Sequence, residues 1–566
     1  MAGMSSYGIA LSGMTAAQVG LYVTGHNVSN VDTPGYSRQR AVQKDVLYNT
    51  IGYNAYGALK LGLGTDIANV RQIRDKFIDA TYRREVGKLG FYDMKTMTGN
   101  EIEMIIGELQ SEYNAQSVVT NLFNSLQELS STPSDIAKRL SFISNCQTFL
   151  TKMNNAADRL LDYQNNLDKQ VRDAVKNINS YTAQISELND KIMIAEASGD
   201  YANDYRDERN ELLDTLNYLV PIIYKEQPNG RVDITVDGKE LLVNGFQNVL
   251  GLKYESGKYP FVEPVFTSSA EILPYDTPED HFTRLFDFDR TISAKNDNDN
   301  GALLGLLLSR GHYPANYTDA IPPDGTDLSL YPLGINDPAY IDDYKHYKNA
   351  TEFMIPKAQS QLDAIVHRII TLINDTLSPY DPAAVNPYDL NGDQSKTEIF
   401  TRRFVDRFDG GGNLIPENPH DYYSLYTIGN VEINPELLSR AGYNLLCLSP
   451  SGDIDDPNLL NGIIQDWNSA SISIGGSLQL NINDAYSLFV TNIGIETNES
   501  ANFVGAQVDV TQNWANKRNQ IMSVSLDEEL KNMMVYQHAY NASARMFNVI
   551  DSMVDRIVNA TGRVGL

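Results

Sequence analysis

Between Met153 and Ile192, apolar residues recur at spacings of three and four. They are Met153, Ala157, Leu160, Leu167, Val171, Ala174, Ile178, Tyr181, Ile185, Leu188 and Ile192, with Gln164 as the polar break. An α-helix turns once every ~3.6 residues and rises ~1.5 Å per residue, so this spacing lines one side of a helix roughly 60 Å long. A stripe of that length cannot stay bare. It predicts a long helix covered by a partner helix at the coiled-coil period, most simply within the chain's own helical core.

Both chain ends carry the same pattern. Near the start, Ser5 or Ser6 can cap a helix whose face is Ile9, Ser12, Ala16, Val19 and Val23, small residues suited to close packing. It stops at Asp32-Thr33-Pro34-Gly35-Tyr36, where Pro34 cannot continue a helix and Pro34-Gly35 fits the centre of a type II turn. Near the finish, Ser525-Leu526-Asp527-Glu528 reads as a capping box, and Asp527, Glu528 and Glu529 suit the positive helix pole. Leu526, Leu530, Met533, Tyr540, Ala544, Phe547, Val554 and Val558 then follow the 3–4 alternation, and Thr561-Gly562-Arg563 closes it. The two end helices are expected to pair, with everything between them inserted. A two-helix hairpin buries too little surface to stand alone, so neighbouring copies would complete its core.

Charge is partitioned in the same way. The chain of 566 residues holds 45 Lys and Arg against 72 Asp and Glu, a net of −27. Residues 1–40 carry Asp32 against Arg38 and Arg40, and residues 521–566 carry five acids against four bases. The acid surplus therefore lies in the middle, which stays solvated, while near-neutral ends can pack on copies of themselves. Nucleic acid and anionic membrane surfaces are unexpected partners for such a chain. No stretch approaches the ~18 uncharged apolar residues of a membrane helix. The N-terminus lacks the basic and apolar regions of a Sec signal.

Between the ends, residues 42–70 are Gly- and Tyr-rich and read as extended structure and loop. Helix returns from about Arg71, and Thr132-Pro133 reads as another start with Thr132 as cap. Alternation around Asp237-Gly238 is hairpin chemistry, with strands continuing to about Asp289. A helix from Glu352 to about Leu377 puts Ile365, Ile369, Leu372 and Ile373 on one face. The fold class is mainly α with inserted β: a terminal coiled-coil inner domain, a long-helix bundle and outer β-rich regions. The boundaries are 1–45 with 521–566 for the coiled coil, ordered only on assembly, and 46–220 with 301–378 and 491–520 for the bundle. Residues 221–300 form a β-rich insertion, 311–350 an irregular insert, and 379–490 a mixed α/β outer region.

Signs of catalysis are sparse. None of the seven histidines forms an H-x-x-x-H pair, and His26 and His538 read as helix-surface residues. The chain has no P-loop, G-x-S-x-G or G-x-G-x-x-G. Asp389-Leu390-Asn391-Gly392-Asp393 opens like a calcium loop but has Gln394 and Phe400 where Gly and Glu are needed, so it reads as a turn. Cys146 and Cys447 sit in no metal spacing; free thiols are the favoured reading, with a single bridge open on sequence alone. No catalytic residue, metal or cofactor is expected. An enzyme with paired carboxylates in 221–500 is the alternative, and a pocket holding two acids with perturbed pKa values would distinguish it.

Gly25-His26-Asn27-Val28-Ser29-Asn30-Val31-Asp32-Thr33-Pro34-Gly35-Tyr36-Ser37-Arg38-Gln39 strongly resembles the N-terminal signature of bacterial flagellar axial proteins. Its Ser37-Arg38-Gln39 resembles the branch of hook-associated protein 1, which joins hook to filament. Residues 525–529 and Tyr536-Gln537-His538-Ala539-Tyr540-Asn541-Ala542-Ser543-Ala544-Arg545 are similar to that family's ending. Arg206-Asp207-Glu208-Arg209 and Gly301-Ala302-Leu303-Leu304-Gly305-Leu306-Leu307 resemble two of its interior landmarks. The resemblance implies a structural subunit exported unfolded without a cleaved signal peptide, placed in the extracellular flagellum. It implies as partners other copies in a ring, the hook protein, hook-associated protein 3, and an export chaperone at the C-terminal region. The assembly residues expected are Ile9, Ala16, Val19 and Val23 with Leu526, Leu530, Met533, Tyr540, Ala544, Phe547 and Val554 from the two seams, and Asn27, Asn30, Pro34, Gly35 and Tyr36 from the motif. A hook or distal-rod subunit of the same superfamily is the other reading.

Overall fold

The computed structural model describes residues 2–560 apart from 47, 55, 108–114, 268–269, 327–329, 380–385 and 474–478. Helix α1 (Ala2–Ser29) begins ahead of Ser5 and Ser6, which lie within its first turns instead of capping it. It ends in the expected turn: Tyr36 N–H donates to the Thr33 carbonyl at 3.3 Å, and Gly35 sits at φ +76°. Two nested antiparallel pairs follow, β1 (Gln39–Asp45) with β4 (Thr65–Gln72) outside β2 (Tyr48–Asn54) with β3 (Gly57–Gly62).

Helix α2 (Lys76–Ile106) starts later than Arg71, because Arg71 and Gln72 complete β4 and Asp75 supplies the cap to Phe77 and Ile78 N–H. After α3 (Ala115–Ser131), a short turn leads into α4 (Ile136–Glu196). Its cap is Asp135 rather than Thr132: the Asp135 carboxylate accepts from Ala137 and Lys138 N–H. The α4 stripe is buried from Met153 to Ile192, with Ala156 and Thr182 in place of Ala157 and Tyr181. Its cover is not one partner helix but a succession: α2, α3, α5 (Asn203–Leu219), α6 (Ala302–Arg310), α8 (Met354–Leu377) and strands of three sheets. Gln164 is the joint where α6 and α8 meet α4; its Nε2 donates to the Arg310 carbonyl at 2.6 Å and its Oε1 accepts from Gln359 at 3.2 Å.

Two of these sheets are four-stranded. One runs β5 (Ile222–Glu226), β6 (Val232–Val236), β7 (Lys239–Val243), β8 (Phe246–Gln247) in that order. The other has the order β11 (Ile272–Leu273), β9 (Leu250–Tyr254), β10 (Val262–Phe266), β12 (Thr283–Arg284). Asp237 and Gly238 both have positive φ, as a type I′ hairpin turn requires. The stretch expected to be irregular ends in a helix, α7 (Pro338–Glu352), which Asp337 caps and Pro338 starts. On α8 the four face residues Ile365, Ile369, Leu372 and Ile373 are all buried.

Residues 379–490 hold a two-stranded ribbon, β13 (Phe400–Arg402) with β14 (Val431–Ile433), and α9 (Asn458–Trp467). Asp389 forms the expected turn, its carboxylate accepting from Asn391 and Asp393 N–H. Asp409 repeats the arrangement with Gly411 and Asn413. Both cysteines are buried free thiols. The chain closes with α10 (Ile482–Met522) antiparallel to α2, and α11 (Leu526–Ala560) against α1. One connected apolar core runs from Phe91 to Phe489; the buried apolar residues of α1 and α11 are not part of it.

Candidate functional site: the paired chain ends

Helices α1 and α11 cross antiparallel, in register at steps of seven residues. Gly13 faces Ser543, Gly20 faces Tyr536, and the Asn27 amide donates to Glu529 at 3.2 Å. A Cβ on Gly20 would lie 2.6 Å from the Tyr536 ring, and one on Gly13 would lie 2.7 Å from Ser543 Oγ. At Gly20, where the neighbour is a whole ring, glycine is what lets the helices close; at Gly13 the neighbour is a hydroxyl that a rotamer change moves. At the far end the Tyr7 ring meets Phe547 edge-on at 4.9 Å, and its hydroxyl donates to Asp551 at 2.7 Å.

The turn after α1 ties this pair to the rest of the chain. Asn27 is the hub: its Oδ1 accepts from Gln39 N–H at 2.9 Å and Tyr36 hydroxyl at 2.8 Å, while its Nδ2 donates to the Gln39 carbonyl at 2.9 Å. Asn30 holds the turn, bonding the His26 carbonyl and the Thr33 hydroxyl. Arg38 reaches α11, pairing with Glu529 at 2.7 Å and Glu528 at 2.6 Å. Glu528 thus binds Arg38 across the helix pair, and Glu529, 2% exposed, is an interhelical ion-pair partner as well as a dipole-complementing acid. Ser37 donates through N–H and hydroxyl to Asp207 of α5, at 3.0 and 2.6 Å. Arg74 joins Ser37 and Asp207 to Asp79, and Arg518 of α10 pairs with Asp79 at 2.9 Å. Burial opposes charge on Asp79, yet Arg74, Arg518 and Arg83 hold its pKa below the usual range.

A large cleft beside residues 76–84 of α2 and strand β5 is lined by seven acids, of which Asp79 and Glu226 have pKa values held below the usual range by neighbouring cations. The acids pushed up by burial, Asp207, Glu263, Glu352, Asp363 (to about 6) and Glu398 (to about 7), do not line it.

Three family models match the chain. The flagellar hook-associated protein FlgK helical domain covers residues 100–328, the flagella basal body rod protein 9–36, and the C-terminal FlgEFG rod family 520–560. Flagellar hook-associated protein 1 of Bacillus subtilis is 27% identical over 97% of this chain and 96% of its own. The protein of that name from Escherichia coli is 23% identical over 97% and 98%. Over almost its whole length the chain is similar to flagellar hook-associated protein 1, and residues 100–328 match the helical-domain model of that protein. A solved structure of the flagellar hook junction protein FlgK from Burkholderia pseudomallei has the same fold. It is 15% identical with a TM-score of 0.53, over 79% of this chain and all of that one.

The matching relatives are structural flagellar proteins, and the terminal motif residues fall at the paired ends, while the two interior landmarks lie on α5 and α6. Ala16 and Asn27 are buried between the helices, and Ile9, Val19, Val23, Asn30 and Tyr36 are half-buried; Pro34 and Gly35 are exposed. On α11, Met533, Tyr540, Ala544, Phe547 and Val554 are half-buried on the stripe that faces α1. Leu526 and Leu530 are not on it; they are 47% and 50% exposed. The stripe passes instead through Glu529, a charged seam position that an apolar reading slides past. Ala10, Ala17, Gly20 and Thr24 also line the α1 face and were not singled out by the sequence reading. The seven-residue spacing of Gly13 and Gly20 was their signal. The closing Thr561-Gly562-Arg563 lies outside the described residues.

Proposed function

We propose that this chain, a structural subunit of the hook–filament junction, assembles by ordering its paired ends between neighbouring copies. The observation that carries this is a second apolar stripe on α11, beside the one that meets α1. Val535, Ala539, Ala542, Met546, Val549 and Met553 recur at threes and fours and all are exposed. A stripe of that composition needs cover, and a pair outside the main core has none of its own to give. In the free chain the ends are then marginal, and burial against neighbours offsets their ordering entropy. Leu526 and Leu530 belong to the surface that neighbours would cover. The Pro34-Gly35 turn and the Asn27–Arg38–Glu529 hub set the direction in which the remainder of the chain leaves the helix pair. The near-neutral ends would face the tube interior and the acidic middle the medium.

The same reading supplies the partners: further copies in a ring, the hook protein below, hook-associated protein 3 above, and an export chaperone on the C-terminal helix before assembly. Export would use the flagellar type III route, without a cleaved signal. Deleting the gene in its host should leave hooks without filaments and shed filament protein into the medium. Complementation with Val549→Asp, on the exposed stripe, should fail equally while the secreted chain stays folded. Normal filaments in the deletion strain would end the junction reading.

A further inference from the structure

A cleft of about 1750 Å³ lies along strand β5, which lines it from Ile222 to Glu226 opposite residues 76–84 of α2. β5 is the outermost strand of its sheet. The register decides which of its backbone groups face outward. Glu226 stands opposite Val232, yet both the N–H and the C=O of Val232 bond the Asn189 amide, each at 3.0 Å. That pair therefore shares no ladder bonds, and in an antiparallel ladder such pairs alternate. Ile222, Tyr224 and Glu226 turn their N–H and C=O groups away from β6. The Ile222 N–H is met there by Asn217 Oδ1 at 3.2 Å. Tyr224 and Glu226 have no backbone bond on that side among the described residues. An edge of this kind is a template for one more strand.

The cleft also asks for a polar occupant. Nine lysines and arginines against seven acids line it, a net positive surface in a chain of net −27. Phe77 and Ile223, each 71% exposed, stand beside it as apolar lips.

We propose that the β5 edge takes an extended acidic segment of a neighbouring copy as an added strand. This rests on the ring reading above: the chain beside each subunit is then another copy, with the same acid surplus to offer. Cleft and segment are different surfaces, so the contact is heterologous, the type that closes rings by rotation. Main-chain bonds to Tyr224 and Glu226 would give affinity, and Lys76 and Lys225 the preference for acid.

The test replaces Ile223 with the photo-crosslinking residue p-benzoylphenylalanine in the full chain, in its host, and irradiates isolated hook–filament assemblies. The expected product is a covalent dimer of this chain, joined at an acidic segment by mass spectrometry. Adding Lys76→Glu with Lys225→Glu should cut its yield several-fold. Crosslinks only to another flagellar protein, or none from flagellated cells, overturn the proposal and leave the junction reading intact. Should the variant fail to build filaments, amide exchange decides instead. Tyr224 and Glu226 N–H in the natural chain must slow on assembly, and unchanged exchange overturns the proposal. Normal filaments after gene deletion would sink the junction reading separately.

Discussion

Two glycines on one helix face give opposite expectations for the same substitution. Exchanging Gly for Ala inside a helix favours the helix by roughly 0.5–1 kcal/mol. At Gly13 the added Cβ meets Ser543 Oγ, an atom that a rotamer change moves aside. At Gly20 it meets three atoms of the Tyr536 ring at 2.6–2.7 Å, and the whole ring must shift. Overpacking of that kind costs about 1–3 kcal/mol, more than the propensity gain. Gly13→Ala should therefore restore filaments to a deletion strain as well as the natural gene, and Gly20→Ala should restore far fewer. Equal filament counts would mean that the helices do not approach as closely as Gly20 and Tyr536 indicate. The same scale shows where sequence reading stopped. Asn27, Tyr36, Ser37 and Arg38 were legible as a motif, because turn and signature residues are local. Their partners Asp207 and Glu529 lie 170 and 491 residues away from Ser37 and Arg38, and no local pattern links them.

At the scale of elements, α4 was legible almost in full, since a 3–4 stripe fixes helix type and buried face together. Which elements cover that stripe was not, because α2, α3, α5, α6, α8 and strands of three sheets each present ordinary apolar surface. Helix α8 and the region after it carry a charge feature that no spacing could reveal. Burial, the largest cause, pushes Asp363 of α8 up to about 6, although it accepts from Tyr317 and Ile428 N–H and the Thr427 hydroxyl. Burial likewise raises Glu398 to about 7, against the pull of Arg407 and the Tyr426 hydroxyl. In the unfolded chain both titrate near 4. The folded state thus holds these protons more tightly, so the stability they contribute is complete below about pH 4. It is lost as pH climbs through about 6 and about 7. Urea melts followed by fluorescence of the fully buried Trp467 should show this region weaker at pH 8 than at pH 5, by an amount on the order of 4 kcal/mol. Glu398→Gln, which keeps the bond from Tyr426, should flatten the upper part of that slope. A slope unchanged by the substitution would remove Glu398 from the account.

For the molecule as a whole, the decisive division is between a main core and an end pair outside it. The core joins helices, both sheets and the outer ribbon into one apolar cluster, so its folding does not wait on neighbours. The pair contributes helices of 28 and 35 residues, joined to that core through the polar hub at Asn27, Arg38 and Glu529. Its packing rests on small side chains, Ala10, Ala16, Ala17 and two glycines, which bury little area apiece. At ~25 cal/mol per Å² such contacts do not match the ~1–2 kcal/mol of backbone entropy that each ordered residue gives up. In the proposed assembly the difference comes from neighbouring chains that cover the exposed stripe of α11. Removing residues 1–40 and 521–566 from the free chain should therefore take away much less circular-dichroism helix signal than two complete helices. In assembled hook–filament preparations the same residues should resist protease that trims them from the secreted chain. A free chain that loses two full helices' worth of signal on truncation would mean the ends are already folded before they meet a neighbour. Assembly would then be docking of a finished surface, and the Pro34-Gly35 turn a fixed elbow from the start.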